Sequence, residues 1–212
     1  MADYTPEEER WNILTHGVGA GLSILALGLL IYRGTTLGDT PTIVGFVVFG
    51  MSLIILYTAS TLYHSATDPQ RRRRLKVFDH VAIYVLIAGT YTPFSLVTLA
   101  GSLGTTVLWV VWGCALGGTV LKLFFTGRFR GLSTILYVGM GWIIIFAGRS
   151  LGKALAPEGL NWLIAGGVAY TIGALFYSWR KLPFNHAIFH GWVLLGSACH
   201  VVAVYGYVGG DY

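Results

Sequence analysis

Pro183-Phe184-Asn185-His186-Ala187-Ile188-Phe189-His190, continuing through Cys199 and His200 to Tyr207, is the stretch from which the rest of the chain is read. It is apolar over a length close to the ~20 residues a helix needs to cross a bilayer. It also carries two histidines four residues apart. On a helix each residue turns about 100°, so residues four apart return to within about 40° of each other. They stand only ~6 Å apart along the axis. Both imidazoles can therefore converge on one metal ion. An ionisable side chain in lipid is costly and points by default to function.

Composition agrees with a membrane setting. Of 212 residues, 55% are hydrophobic and 11% charged, whereas soluble domains average about 25% charged residues. The glycine content, 29 residues, suits close helix packing. Gly17-x3-Gly21 and Gly113-x3-Gly117 have the spacing of packing seams. Cys114 and Cys199 both lie in apolar segments, so no disulfide framework is expected. The first residues are acidic where a cleavable signal peptide is basic, so the first span is expected to be retained. The net charge of +5 sits in short loops between apolar runs. It reports topology, not nucleic-acid binding.

Seven spans are expected, at about 13–32, 41–63, 79–100, 105–124, 133–149, 160–178 and 186–208. The fold class is thus an all-α integral membrane protein, a single seven-helix bundle over residues 1–212. Short connections at Gly34–Asp39, Ala100–Gly104, Gly127–Gly131 and Leu155–Gly159 punctuate it. Pro93 falls inside the third span and is expected to kink it or end its regular hydrogen bonding. On one side stand Arg10, Arg71 to Arg74, Lys76, Lys122, Arg128, Arg130, Arg180 and Lys181; on the other stand Arg33, Arg149 and Lys153. That bias places the N-terminus in the cytoplasm and the C-terminus outside.

With this topology His16, His64, His80, His186 and His190 all lie near the cytoplasmic boundary. His200 is deeper, ~15 Å past His190 and about 80° round the helix. Asp79 is the acidic residue at a span edge on the cytoplasmic side. His64, His186 and His190 are the expected metal ligands, and three neutral imidazoles with one open position are the ligand set of a catalytic zinc. Such a zinc lowers the pKa of bound water to about 7. Asp79 is the candidate to orient that water, take its proton, or hold a ligand histidine by its second nitrogen. Ser60, one turn before His64, points at the same locus. A lone histidine at a span boundary is more often a packing or interfacial residue than a ligand. For His80 and His200 that reading stays ahead. Arg71–Arg74 read as topology and anionic-lipid determinants, and Tyr91, Trp109, Trp142 and Trp162 as packing or interfacial aromatics.

Four blocks carry a family resemblance. They are Glu8-Glu9-x2-Asn12-x2-Thr15-His16-Gly17, Ser60-Thr61-Leu62-Tyr63-His64, Asp79-His80 through Ile83-Tyr84 to Thr90-Tyr91-Thr92-Pro93, and Leu182-Pro183-Phe184-Asn185-His186-x3-His190. In this order they resemble the hemolysin III-like bacterial membrane proteins, the prokaryotic branch of the progestin and adipoQ receptor family. The resemblance implies seven helices, a cytoplasmic N-terminus, zinc on His64, His186 and His190, and Ser60 and Asp79 close to the zinc-bound water. It adds Glu9, Asn12, His16 and His80 as further polar motif residues. The related receptors and alkaline ceramidases look like intramembrane hydrolases of ceramide, although no counterpart of the receptors' long N-terminal domain is expected here.

The function expected is zinc-dependent hydrolysis of a lipid amide or ester within the cell membrane. The alternative readings are a membrane-perturbing or pore-forming protein whose zinc is structural, or a lipid sensor. A membrane lipid is the expected partner, as substrate or ligand; no nucleic acid and no soluble protein partner is implied. A retinal-type photoreceptor is disfavoured because residues 186–208 contain no lysine.

Overall fold

The computed structural model describes residues 4–125 and 130–210. Arg128 and most of the expected Gly127–Gly131 connection lie outside the described residues. The described residues are predominantly helical, without a strand. It contains seven helices long and apolar enough to cross a membrane. They are formed by α1 (Pro6–Leu37), α2 (Thr40–Ser65), α3 (Pro69–Pro93), α4 (Ser102–Phe125), the broken pair α5 (Arg130–Gly141) and α6 (Gly148–Ala154), α7 (Pro157–Ser178) and α8 (Asn185–Tyr207). Helix α1 packs on α2, α2 on α3 and α3 on α4, and α8 lies against both α7 and α1. The first and last spans are therefore adjacent, which is the feature that assembles the candidate site. Large apolar side chains such as Leu22, Trp109, Phe124 and Phe146 point outward, as they should where the surroundings are hydrocarbon.

The first helix starts earlier than expected, at Pro6 instead of near residue 13. Its start is a capping box. Thr5 Oγ1 accepts from the Glu8 amide at 3.2 Å, and Glu8 Oε2 accepts from the Thr5 amide at 2.8 Å. Pro6 suits the first helical turn because its missing N–H has no partner there in any case. The early start puts Glu9, Asn12 and His16 on one helical face, at spacings of three and four.

Pro93 ends the α-helical part of the third span, and the chain continues as a single π-helical turn, Phe94–Thr98. Helices α2 and α3 approach closely where Gly45 faces Pro93, and a Cβ at Gly45 would stand 2.8 Å from the Pro93 Cα. The expected glycine seams lie elsewhere: Gly21, Gly113 and Gly117 have no neighbour within 4 Å of an added Cβ, and Gly17 has only an ordinary contact at 3.9 Å. Glycine spacing alone did not locate the interfaces in a chain this rich in glycine.

The fifth span also departs from expectation. It runs over Gly131–Ala154 and is interrupted by a 3-10 segment, Ile143–Ala147. Arg149, expected at the end of the fifth span, and Lys153, expected between that span and the Leu155–Gly159 connection, both lie on α6. Tyr91, expected as a packing aromatic, inserts its hydroxyl at the break. The hydroxyl donates to the Gly141 carbonyl at 2.7 Å and accepts from the Ile144 amide at 2.8 Å. These are the backbone groups that an interrupted helix leaves open, and in a bilayer they must be satisfied by protein.

Candidate metal centre

His64 lies near the end of α2, and His186 and His190 in the first two turns of α8. All three are buried, at 3%, 7% and 1% exposure. One ligand atom from each lies within 4.8 Å of the other two. His64 Nε2 is 3.1 Å from His186 Nε2. Tetrahedral zinc with nitrogen ligands at about 2.0–2.1 Å separates them by roughly 3.3 Å, so that pair already stands at a coordinating distance.

The hydrogen bonds on the far side of the rings decide which nitrogens are available. His64 Nδ1 lies 2.6 Å from Glu9 Oε2, and a carboxylate accepts, so Nδ1 carries the hydrogen and Nε2 presents its lone pair. Thr15 Oγ1 donates to the Trp11 carbonyl at 2.8 Å. Its hydrogen being committed, it accepts from His190 Nδ1 at 3.1 Å, which again leaves Nε2 bare. His186 Nδ1 is buried with no hydrogen-bond partner. Buried imidazoles with free lone pairs are the donor set zinc takes, and carboxylate or hydroxyl partners on the opposite nitrogen are its usual second layer. The residues fit the ion.

A carboxylate does reach a ligand histidine, but it is Glu9 rather than Asp79. Arg72 binds the other oxygen of Glu9 and also reaches the Ala66 carbonyl at 3.2 Å. Arg72 thus differs from the exposed Arg71, Arg73 and Arg74. Asp79 is half-buried on α3, with Oδ2 3.7 Å from His80 Nδ1; it lines a cavity that also touches His186. His80 directs Nδ1 to the Lys76 carbonyl at 2.6 Å. Ser60 is buried one turn before His64 and its hydroxyl has no partner. Asn12 is fully buried and its amide donates to Glu9 at 3.3 Å.

His16 joins the cluster by stacking on His190, with ring centroids 3.4 Å apart and planes 12° from parallel. Tyr4 covers the other side, its ring centroid 4.9 Å from that of His186. Glu9 belongs to the polar block that the family resemblance marks, whereas composition and spacing do not point to Thr15, Arg72 or Tyr4. A signal for Glu9 existed: Thr5-Pro6-Glu7-Glu8 is an N-cap sequence, and starting the helix there turns Glu9 inward with Asn12 and His16.

The cavity, of about 170 Å³, extends from Tyr4, Asp79 and His186 past Ile87, Trp142 and Val193 to His200. Its walls are mostly apolar. Lys122, buried on α4, donates from its Nζ to Ser133 Oγ at 2.5 Å on this wall. A histidine-lined polar end joined to an apolar tunnel suits a molecule with one polar end and a hydrocarbon chain.

The chain matches the family model described as Haemolysin-III related over residues 4–201. It is 48% identical over 202 residues to Hemolysin-3 of Bacillus cereus, covering 95% of this chain and 92% of that protein. It is likewise 48% identical over 204 residues to the Hemolysin-3 homolog of Bacillus subtilis (strain 168), covering 96% of each. A more distant similarity, 28% over 167 residues, extends to the monocyte to macrophage differentiation factor of Homo sapiens, covering 76% of this chain and 69% of the human protein.

Proposed function

The chain belongs to the haemolysin-III related family of multi-pass cell-membrane proteins, and from that premise we propose that it is a zinc-dependent hydrolase of a membrane-lipid amide or ester, with its N-terminus in the cytoplasm. The observation carrying this reading is that three buried imidazoles from two spans converge beside a mostly apolar cavity, which one of them, His186, lines. His64, His186 and His190 would hold the ion. When bound, zinc supplies Lewis acidity, polarising a carbonyl and making water nucleophilic near neutral pH. Glu9 fixes the His64 ring and Thr15 the His190 ring, each through Nδ1. Asp79, on the cavity wall, is the residue assigned to take the proton from the attacking water. Ser60 offers a hydroxyl uncommitted to protein, assigned to stabilise the developing oxyanion. The apolar tunnel holds the chain of the substrate and excludes bulk water.

Metal analysis of the purified protein tests this first. About one zinc per chain is expected, abolished by joint His186→Ala and His190→Ala substitution. A preparation active on lipid vesicles yet free of metal would overturn the assignment. Asp79→Asn is expected to retain zinc and lose lipid turnover. The relatives' name supports a second reading, membrane perturbation with zinc as a structural tie between spans. Lysis undiminished in Asp79→Asn, with no turnover by either protein, would favour it.

A further inference from the structure

The cavity lined by His186 is lined also by His200, deeper along the same helix. His200 lies ten residues after His190 on α8, or ~15 Å along the helix axis. Its ring presses on Gly166 of α7, where an added Cβ would collide with it. That glycine lets His200 Nε2 come within 3.1 Å of the Leu163 carbonyl. A carbonyl only accepts, so Nε2 carries the hydrogen and Nδ1 is a bare acceptor. Nδ1 is buried and has no hydrogen-bond partner. Its polar neighbours are otherwise engaged. Tyr170 sits edge-on to the ring at 5.3 Å, and its hydroxyl is hydrogen-bonded to Ser197 at 2.8 Å. Tyr57 donates to the same Ser197 Oγ at 2.7 Å. An unmet acceptor among hydrocarbon is unfavourable unless the occupant of the cavity carries the donor.

We propose that His200 recognises a hydroxyl on the hydrocarbon chain of the lipid this cavity takes, so that chains hydroxylated well away from their carbonyl end are preferred. The chemistry selects a hydroxyl over an amide. An amide N–H would bring a carbonyl needing its own donor, and Trp142 Nε1, the nearby indole donor, is committed to Thr171 at 3.0 Å. A hydroxyl needs only the acceptor that Nδ1 provides. This rests on the reading that the carbonyl end of the lipid lies at His64, His186 and His190.

The test compares ricinoleate with oleate, two fatty acids that differ by one mid-chain hydroxyl. Binding of each to the purified, zinc-containing protein in detergent is measured by displacement of a fluorescent fatty acid. Ricinoleate is expected to bind about ten-fold more tightly. His200→Phe should abolish the difference while leaving oleate binding in place, and His200→Gln, which keeps an acceptor, should restore part of it. Equal affinity of the unmutated protein for both acids, or a preference that survives His200→Phe, would overturn the proposal. The unmutated protein supplies that first comparison even if the variants fail to fold. Zinc bound with no preference between the acids sinks this inference alone; failure of both acids to bind removes the lipid cavity reading along with it.

Discussion

Glu9 Oε2 lies 2.6 Å from His64 Nδ1, and the other oxygen of the same carboxylate is held by Arg72. The first span thereby orients an imidazole carried by the second, and Arg72, in the first turn of α3, orients the carboxylate. Partners of this kind typically change metal affinity by 10–100-fold when lost. Glu9→Gln is expected to weaken zinc binding by roughly that factor, read by competition with a chelator, while the helical signal is unchanged. Arg72→Gln should give a smaller loss in the same direction, with Arg72→Lys partly restoring it. Unaltered affinity in Glu9→Gln would show that the contact does not act on the metal.

Glu8 has two duties: it closes the capping box on Thr5, and its Oε1 accepts from the Phe184 amide at 3.0 Å. Phe184 is the single described non-glycine residue with positive φ, at 56°, a conformation that costs a bulky residue about 1–2 kcal/mol. It stands directly before the helix that carries His186. Thr5→Ala should cost about 1 kcal/mol, the usual loss of an N-cap. Glu8→Ala should cost more, and it should accelerate hydrogen exchange at the Phe184 amide. Equal exchange rates in the two variants would contradict the link.

Tyr91 ties the broken fifth span to the third. Tyr91→Phe keeps the ring but leaves the Gly141 carbonyl and the Ile144 amide without their partner. The expected loss is about 1–3 kcal/mol for buried unmet polar groups, measured as a fall in the denaturation midpoint in detergent. No fall would mean that other groups or water take over at the break.

Glycines of similar sequence context should respond oppositely to alanine. At Gly45 the added methyl meets Pro93 backbone at 2.8 Å, so Gly45→Ala should destabilise by about 1–3 kcal/mol. At Gly113 it meets nothing within 4 Å, and Gly113→Ala should be neutral or stabilising by up to about 1 kcal/mol through helix propensity. Thermal unfolding of the two variants side by side decides it.

By itself the sequence determined what depends on neighbours along one helix. The apolar runs marked seven crossings, the four-residue spacing put His186 and His190 on one face, and Pro93 marked the end of regular hydrogen bonding, all of which follow from backbone periodicity. Matching depth adds His64, which stands 3.1 Å from His186. Depth alone, however, cannot say how each helix is rotated or which helices touch. It put Asp79 level with the histidines, whereas the carboxylate on His64 comes from Glu9, brought there because α1 packs between α2 and α8. The Glu9–His64, His64–His186 and Glu8–Phe184 contacts join residues 55, 122 and 176 positions apart. So too His16 on His190, Tyr91 at the break and Gly166 under His200 are decided by helix placement, which no local pattern encodes.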